Sequence, residues 1–84
     1  MQCVVYKSLR QFDYYLFVDK EDELSRLPEG LKRLLGTLEK VVEFDLHRDR
    51  ALAQAEPAEV IEQIIEQGYY LQMPLRDRGE PPVA

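Results

Sequence analysis

The sequence predicts a small α/β protein of the α+β kind, with its elements in the order β-β-α-β-α-β. Three observations lead there. Two short β-prone apolar runs lie close together near the start. Two later stretches carry leucine or isoleucine at helical spacing and end on a glycine. An aromatic run, YYLQM at residues 69–73, follows the second glycine almost without a loop.

The elements follow in order. Residues 3–6 (CVVY) and 14–18 (YYLFV) are the two early strands. The connector SLRQFD is polar, with one phenylalanine, and its length suits a hairpin with a longer loop. Both runs are too apolar for a sheet with one face wholly in water, so both faces are expected to be covered. The acidic DKEDEL stretch then reads as a turn or a short helical start.

Residues 27–36 (LPEGLKRLLG) read as a short helix. Proline stands near its start, leucines at 31, 34 and 35 share a face, basic residues fill its last turn and Gly36 ends it. In TLEKVVEFDL, Val42, Phe44 and Leu46 alternate with Glu43 and Asp45, which predicts a third strand with one wetter face. HRDRALAQAE reads as a connector, with a helical turn near residues 50–53.

Residues 56–59 (EPAE) open the clearest helix. Proline fits the first turn and the early glutamates complement the helix dipole. Val60, Ile61, Ile64 and Ile65 form one apolar stripe, and Glu59, Glu62, Gln63, Glu66 and Gln67 stand opposite. Gly68 sits where a left-handed cap is expected. Tyr69 to Met73 then form the last strand, and Pro74 stops it.

The economical arrangement is one domain over residues 1–74: a short mixed sheet packed with helices, sandwich-like (α/β/α). Were the third and fourth strands parallel neighbours, the second helix would be a right-handed crossover between them. Residues 75–84 (LRDRGEPPVA) read as a mobile tail.

With 84 residues there is room for one modest core. Apolar residues make up 45% and charged residues 32%, which argues for a globular chain rather than a disordered one. The net charge of −5 works against non-specific binding to nucleic acid or anionic membranes. A single cysteine excludes an intramolecular disulfide and a thiolate zinc cluster. The start, MQCVVYK, lacks the pattern of a signal peptide, and no apolar run approaches a membrane span. A cytoplasmic protein without a membrane segment is expected.

Four stretches carry a family resemblance: CVVYKS (3–8), YLFV (15–18), LSRLPEGL (24–31) and above all QGYYLQMP (67–74). Together they resemble the YcgL family of small bacterial proteins over residues 1–74. The resemblance implies a bacterial, cytoplasmic protein with an α/β sandwich-like fold. It carries over no catalytic residue.

Candidate sites are few. Cys3 would be a nucleophile only beside a base such as His47, and its apolar run favours a core position. His47 lies between Asp45 and Asp49, too few ligands for a metal site. Asp19, Glu21, Asp22 and Glu23 lack the spacing of a calcium loop. Glu59, Glu62 and Glu66 share one helix face, which fits a solvated surface or an acidic docking face for a basic partner. Arg26, Lys32 and Arg33 form a basic group that Lys7, Arg10, Arg48 and Arg50 would join only if the loops converge. Tyr69 and Tyr70 alternate across a strand, so one ring is expected in the core and one is left for a groove.

The expected function is that of a non-enzymatic binding or adaptor module acting on a protein partner. The alternative is RNA binding through the basic group. An enzyme built on Cys3 or His47 is the third reading. No cofactor and no metal are expected.

Overall fold

A computed structural model describes residues 1–49, 52 and 55–74. Its elements are β1 (Gln2–Ser8), β2 (Tyr15–Asp19), α1 (Glu29–Leu35), β3 (Leu38–Asp45), α2 (Pro57–Gln67) and β4 (Tyr70–Gln72). The expected order holds. The helical turn expected near residues 50–53 and the tail at 75–84 lie outside the described residues.

The four strands form one sheet in the order β3-β1-β2-β4. Every pairing is antiparallel. The sheet is therefore not mixed, and β3 and β4 stand at opposite edges rather than side by side. The physical reason is that the β1–β2 hairpin takes the centre, so each later strand can pair only at an outer edge. Val4 pairs with Val18 and Val5 with Phe17 in the hairpin.

Strand alternation divides the apolar residues of this hairpin between two cores. On one face Cys3, Val5 and Phe17 pack with Leu46 and with Val60 and Ile64 of α2. On the other, Val4, Leu16 and Val18 pack with Leu27 and with Leu35 of α1. Helices thus cover both faces, as the apolar character of the two strands requires. Burying Val60 and Ile64 contributes on the order of 1.5–3 kcal/mol each.

Both helices end as their glycines predict. Gly36 has φ 65° and its N–H donates to the Lys32 carbonyl. Gly68 is left-handed at φ 95° and its N–H donates to the Ile64 carbonyl. The acidic stretch between β2 and α1 is a run of turns. The Asp22 and Glu23 N–H groups both donate to the Asp19 carbonyl.

Two expectations about apolar faces need correction. The α2 stripe is split: Val60 and Ile64 are buried, whereas Ile65 is 62% exposed. Four adjacent apolar positions span more of the helix surface than one sheet can cover. On β3, Val41 and Val42 are 50% and 46% exposed. The strand bulges opposite Val5 and Tyr6. It is also an edge strand, while α2 packs on β2 and β4.

Candidate functional site

Of the two residues on which an enzyme reading would rest, the structure buries one and exposes the other. Cys3 lies wholly inside the core under α2. Burial pushes its thiol up to about 11, with the charge of Asp19 adding to the rise. A thiol held neutral in this way is a packing residue, not a poised nucleophile. His47 is exposed, just past β3. Among the described residues it makes no hydrogen bond or ion pair, and no group of three His, Cys, Asp or Glu side chains is placed to hold a metal.

The acidic turn serves the backbone. The Asp19 carboxylate accepts the Glu21 N–H at 3.0 Å. Asp22 pairs with Arg26 at 3.6 Å.

The basic residues named from the sequence have different partners within the fold. The Arg26 guanidinium reaches the C-terminal end of α2, donating to the carbonyls of Ile64 (3.4 Å), Ile65 (3.5 Å) and Glu66 (3.5 Å). The last turn of α2 holds no basic residue of its own. Arg26 supplies that positive charge from a distant loop. Lys32 pairs within its own helix with Glu29 at 3.5 Å. The β1–β2 loop does converge on α1: Arg10 Nη1 donates to the Arg33 carbonyl at 2.8 Å.

Tyr69 and Tyr70 are split by the sheet as strand alternation demands. Tyr70 packs on the α2 side and Tyr69 on the α1 side. The Tyr70 ring meets Phe17 edge-to-face, with centroids 5.8 Å apart and planes at 78°. Both rings are half-buried, so the one expected in the core keeps part of its surface in water. A three-residue edge strand cannot enclose a tyrosine on either side.

The outer face of α2 carries Glu59, Glu62 and Glu66, all exposed. None of them joins an ion pair among the described residues. Ile65 stands out of the core beside Glu62, with half-buried Ile61 one turn before it. Glu43, by contrast, is held between Lys20 (2.6 Å) and Lys40 (2.8 Å). Hydrogen bonds from these lysines lower its carboxyl to about 2.

One feature is missed by reading the sequence. The β1–β2 connector, residues 9–14, holds Phe12 at 85% exposure and Leu9 at 56%. The loop is nevertheless ordered by hydrogen bonds. Ser8 Oγ accepts the N–H groups of Arg10 (3.2 Å) and Gln11 (2.8 Å) and donates to the Leu35 carbonyl. The Leu9 N–H donates to the Thr37 carbonyl at 2.9 Å. Beside Phe12 lies an open depression of about 320 Å³, lined also by Lys7, Ser8, Leu9, Arg10, Asp13 and Tyr15. The signal available in the sequence was one phenylalanine in an otherwise polar connector.

No helix of the described residues is long and apolar enough to cross a membrane.

The family model of the YcgL domain matches residues 3–75. The chain is 42% identical over 74 residues to a YcgL domain-containing protein of Thioalkalivibrio sulfidiphilus, covering 88% of this chain and 91% of that one. It is 46% identical over 72 residues to one of Pseudomonas aeruginosa, covering 86% and 74%. It is also 40% identical over 75 residues to a longer protein of Nitrosococcus oceani described as a HAD-like hydrolase. That match covers 89% of this chain but only 20% of the longer one.

Proposed function

The chain is a member of the YcgL family, and we propose that it works as a protein-binding module that docks a partner on the outward face of α2. The observation that carries this reading is Ile65, a large apolar side chain left 62% exposed beside Glu62, at one border of the acidic face of α2. The helix beneath it is fixed by Val60 and Ile64 in the core, so the face is preorganised and costs little ordering on binding. Carboxylates beside an apolar anchor, none of them in an ion pair among the described residues, select a basic partner segment with an apolar residue of its own. The match within a longer Nitrosococcus protein agrees with a module that can be carried on a larger chain.

The cytoplasm is the compartment this reading assigns. RNA binding through Arg26, Lys32 and Arg33 draws less support, because Arg26 and Lys32 are engaged within the fold. An enzyme centred on Cys3 draws less still, because its sulfur is enclosed.

Site-directed photo-cross-linking in cells tests the docking face. A photoreactive phenylalanine in place of Ile65 is expected to give a discrete protein adduct. The adduct should vanish when Glu62 and Glu66 are replaced by lysine. The same probe at Glu21, in the turn between β2 and α1, is the control. An adduct that survives the charge reversal, or appears equally from position 21, overturns the reading.

A further inference from the structure

The depression beside Phe12 is separate from the α2 face and stands independently of the docking proposal. Three observations bear on what it takes. Its volume of about 320 Å³ falls at the lower end of the range of roughly 300–1,000 Å³ typical of small-molecule sites. Its charged lining, Lys7 and Arg10 against Asp13, is locally positive on a chain whose net charge is −5. Its rim carries an aromatic ring that an ordered loop holds out in water.

We propose that this depression is a binding site for a small aromatic anion of the mononucleotide class. Arg10 is the residue best placed to take the phosphate. One of its nitrogens is anchored on the Arg33 carbonyl. Its side chain lies against Gly36, where an added Cβ would come within 3.1 Å of its Nε. A guanidinium fixed in this way loses little freedom when it binds phosphate through its remaining N–H groups. Lys7, held only loosely by Glu39 at 3.8 Å, supplies a second charge. Phe12 offers its face for a base to stack on. Asp13 is the acceptor for a sugar hydroxyl or a base amino group.

The site favours a short anion over a polymer. Each added phosphate of a long strand meets the negative field of the whole chain, and Glu39 lies beside Lys7.

The test is a titration of the isotope-labelled chain by two-dimensional amide NMR with AMP, adenosine and inorganic phosphate as probes. AMP is expected to shift amides between Lys7 and Tyr15 at low millimolar concentration. Adenosine and phosphate alone should each bind about tenfold more weakly or worse, because each keeps only one half of the recognition. Phe12→Ala and Arg10→Ala should each weaken AMP by roughly tenfold. Phe12 is too exposed for its removal to disturb the fold, and the spectrum of the variant reports this directly. No shift at about 10 mM AMP, shifts elsewhere on the chain, equal binding of phosphate alone, or undiminished binding by the Phe12 variant overturns the proposal.

Discussion

Arg26 and Gly68 share one small volume at the C-terminal end of α2. A Cβ placed on Gly68 would lie 2.5 Å from the Arg26 Cβ and 2.8 Å from its Nε. Gly68 also has φ 95°, a conformation that strains any other residue. Gly68→Ala should therefore destabilise the fold by about 1–3 kcal/mol. Urea unfolding measures this directly. Adding Arg26→Ala to Gly68→Ala should cost only somewhat less than the sum of the two, since alanine removes the Nε and Cδ contacts but keeps the Cβ that lies 2.5 Å away. A neutral Gly68→Ala would show that the glycine is not required.

Arg26→Ala alone should lower stability by about 1 kcal/mol, because α2 then ends without a positive charge near its last carbonyls. Partial exposure of the guanidinium keeps the figure small. Arg26→Lys should restore only part, since an ammonium cannot reach three carbonyls as a planar fork does. The unfolding midpoints of the three proteins check this. If Arg26 were instead a nucleic-acid contact, the midpoints would coincide.

Much of this fold was legible in local pattern. The two glycine caps, Pro57 in the first turn and the apolar hairpin strands each declare themselves over a few residues. Strand alternation alone placed Tyr69 and Tyr70 on opposite faces. What was not legible depends on distant partners. Nothing near Arg26 in sequence announces that it caps a helix some 40 positions away, as its bond to Glu66 shows. The exposure of Ile65 and Val42 follows from how far α2 extends over the sheet, and the sheet's edges are set by pairing order. Phe12 is exposed because Ser8 and Thr37 fix the loop outward, a contact set that composition does not encode.

Cys3 should stay unreactive toward thiol reagents near pH 8 until the chain unfolds. Its pH dependence has a definite sign. The unfolded thiol loses its proton near 9.0 and the folded one near about 11. Between these values the unfolded state binds fewer protons, so stability falls as pH rises, by at most about 1.4 kcal/mol per pH unit. Below 9.0 the contribution is fully present. Urea titrations from pH 8 to 11 should show a steeper decline for the wild type than for Cys3→Ala, both carrying the same lysine titrations. Parallel declines would refute the burial argument.

Glu43 predicts the opposite limb. Its carboxyl is lowered from 4.5 to about 2 by the hydrogen bonds of Lys20 and Lys40. In that window the unfolded state binds more protons, so stability falls as pH drops from 4.5 toward 2. Glu43→Gln should flatten the acid limb of the stability curve while leaving its shape above pH 5 unchanged. Salt should shrink the difference, because these groups face solvent. An acid limb identical in the two proteins would remove Glu43 from the account.

Ile64 and Ile65 are neighbours in sequence and opposites in energy. Ile64 is enclosed with Val5 and Phe17, so Ile64→Ala leaves a cavity and should cost roughly 2–5 kcal/mol. Ile65 touches little, and Ile65→Ala should change stability by less than about 0.5 kcal/mol. Ile61, half-buried against the same core, should fall between them. This ordering is what makes Ile65 usable as a probe of docking, since its replacement leaves the fold intact. Thermal unfolding of the three alanine variants tests it. Equal losses at positions 64 and 65 would mean that the whole stripe is core, and the outward face of α2 would then hold no apolar anchor for a partner.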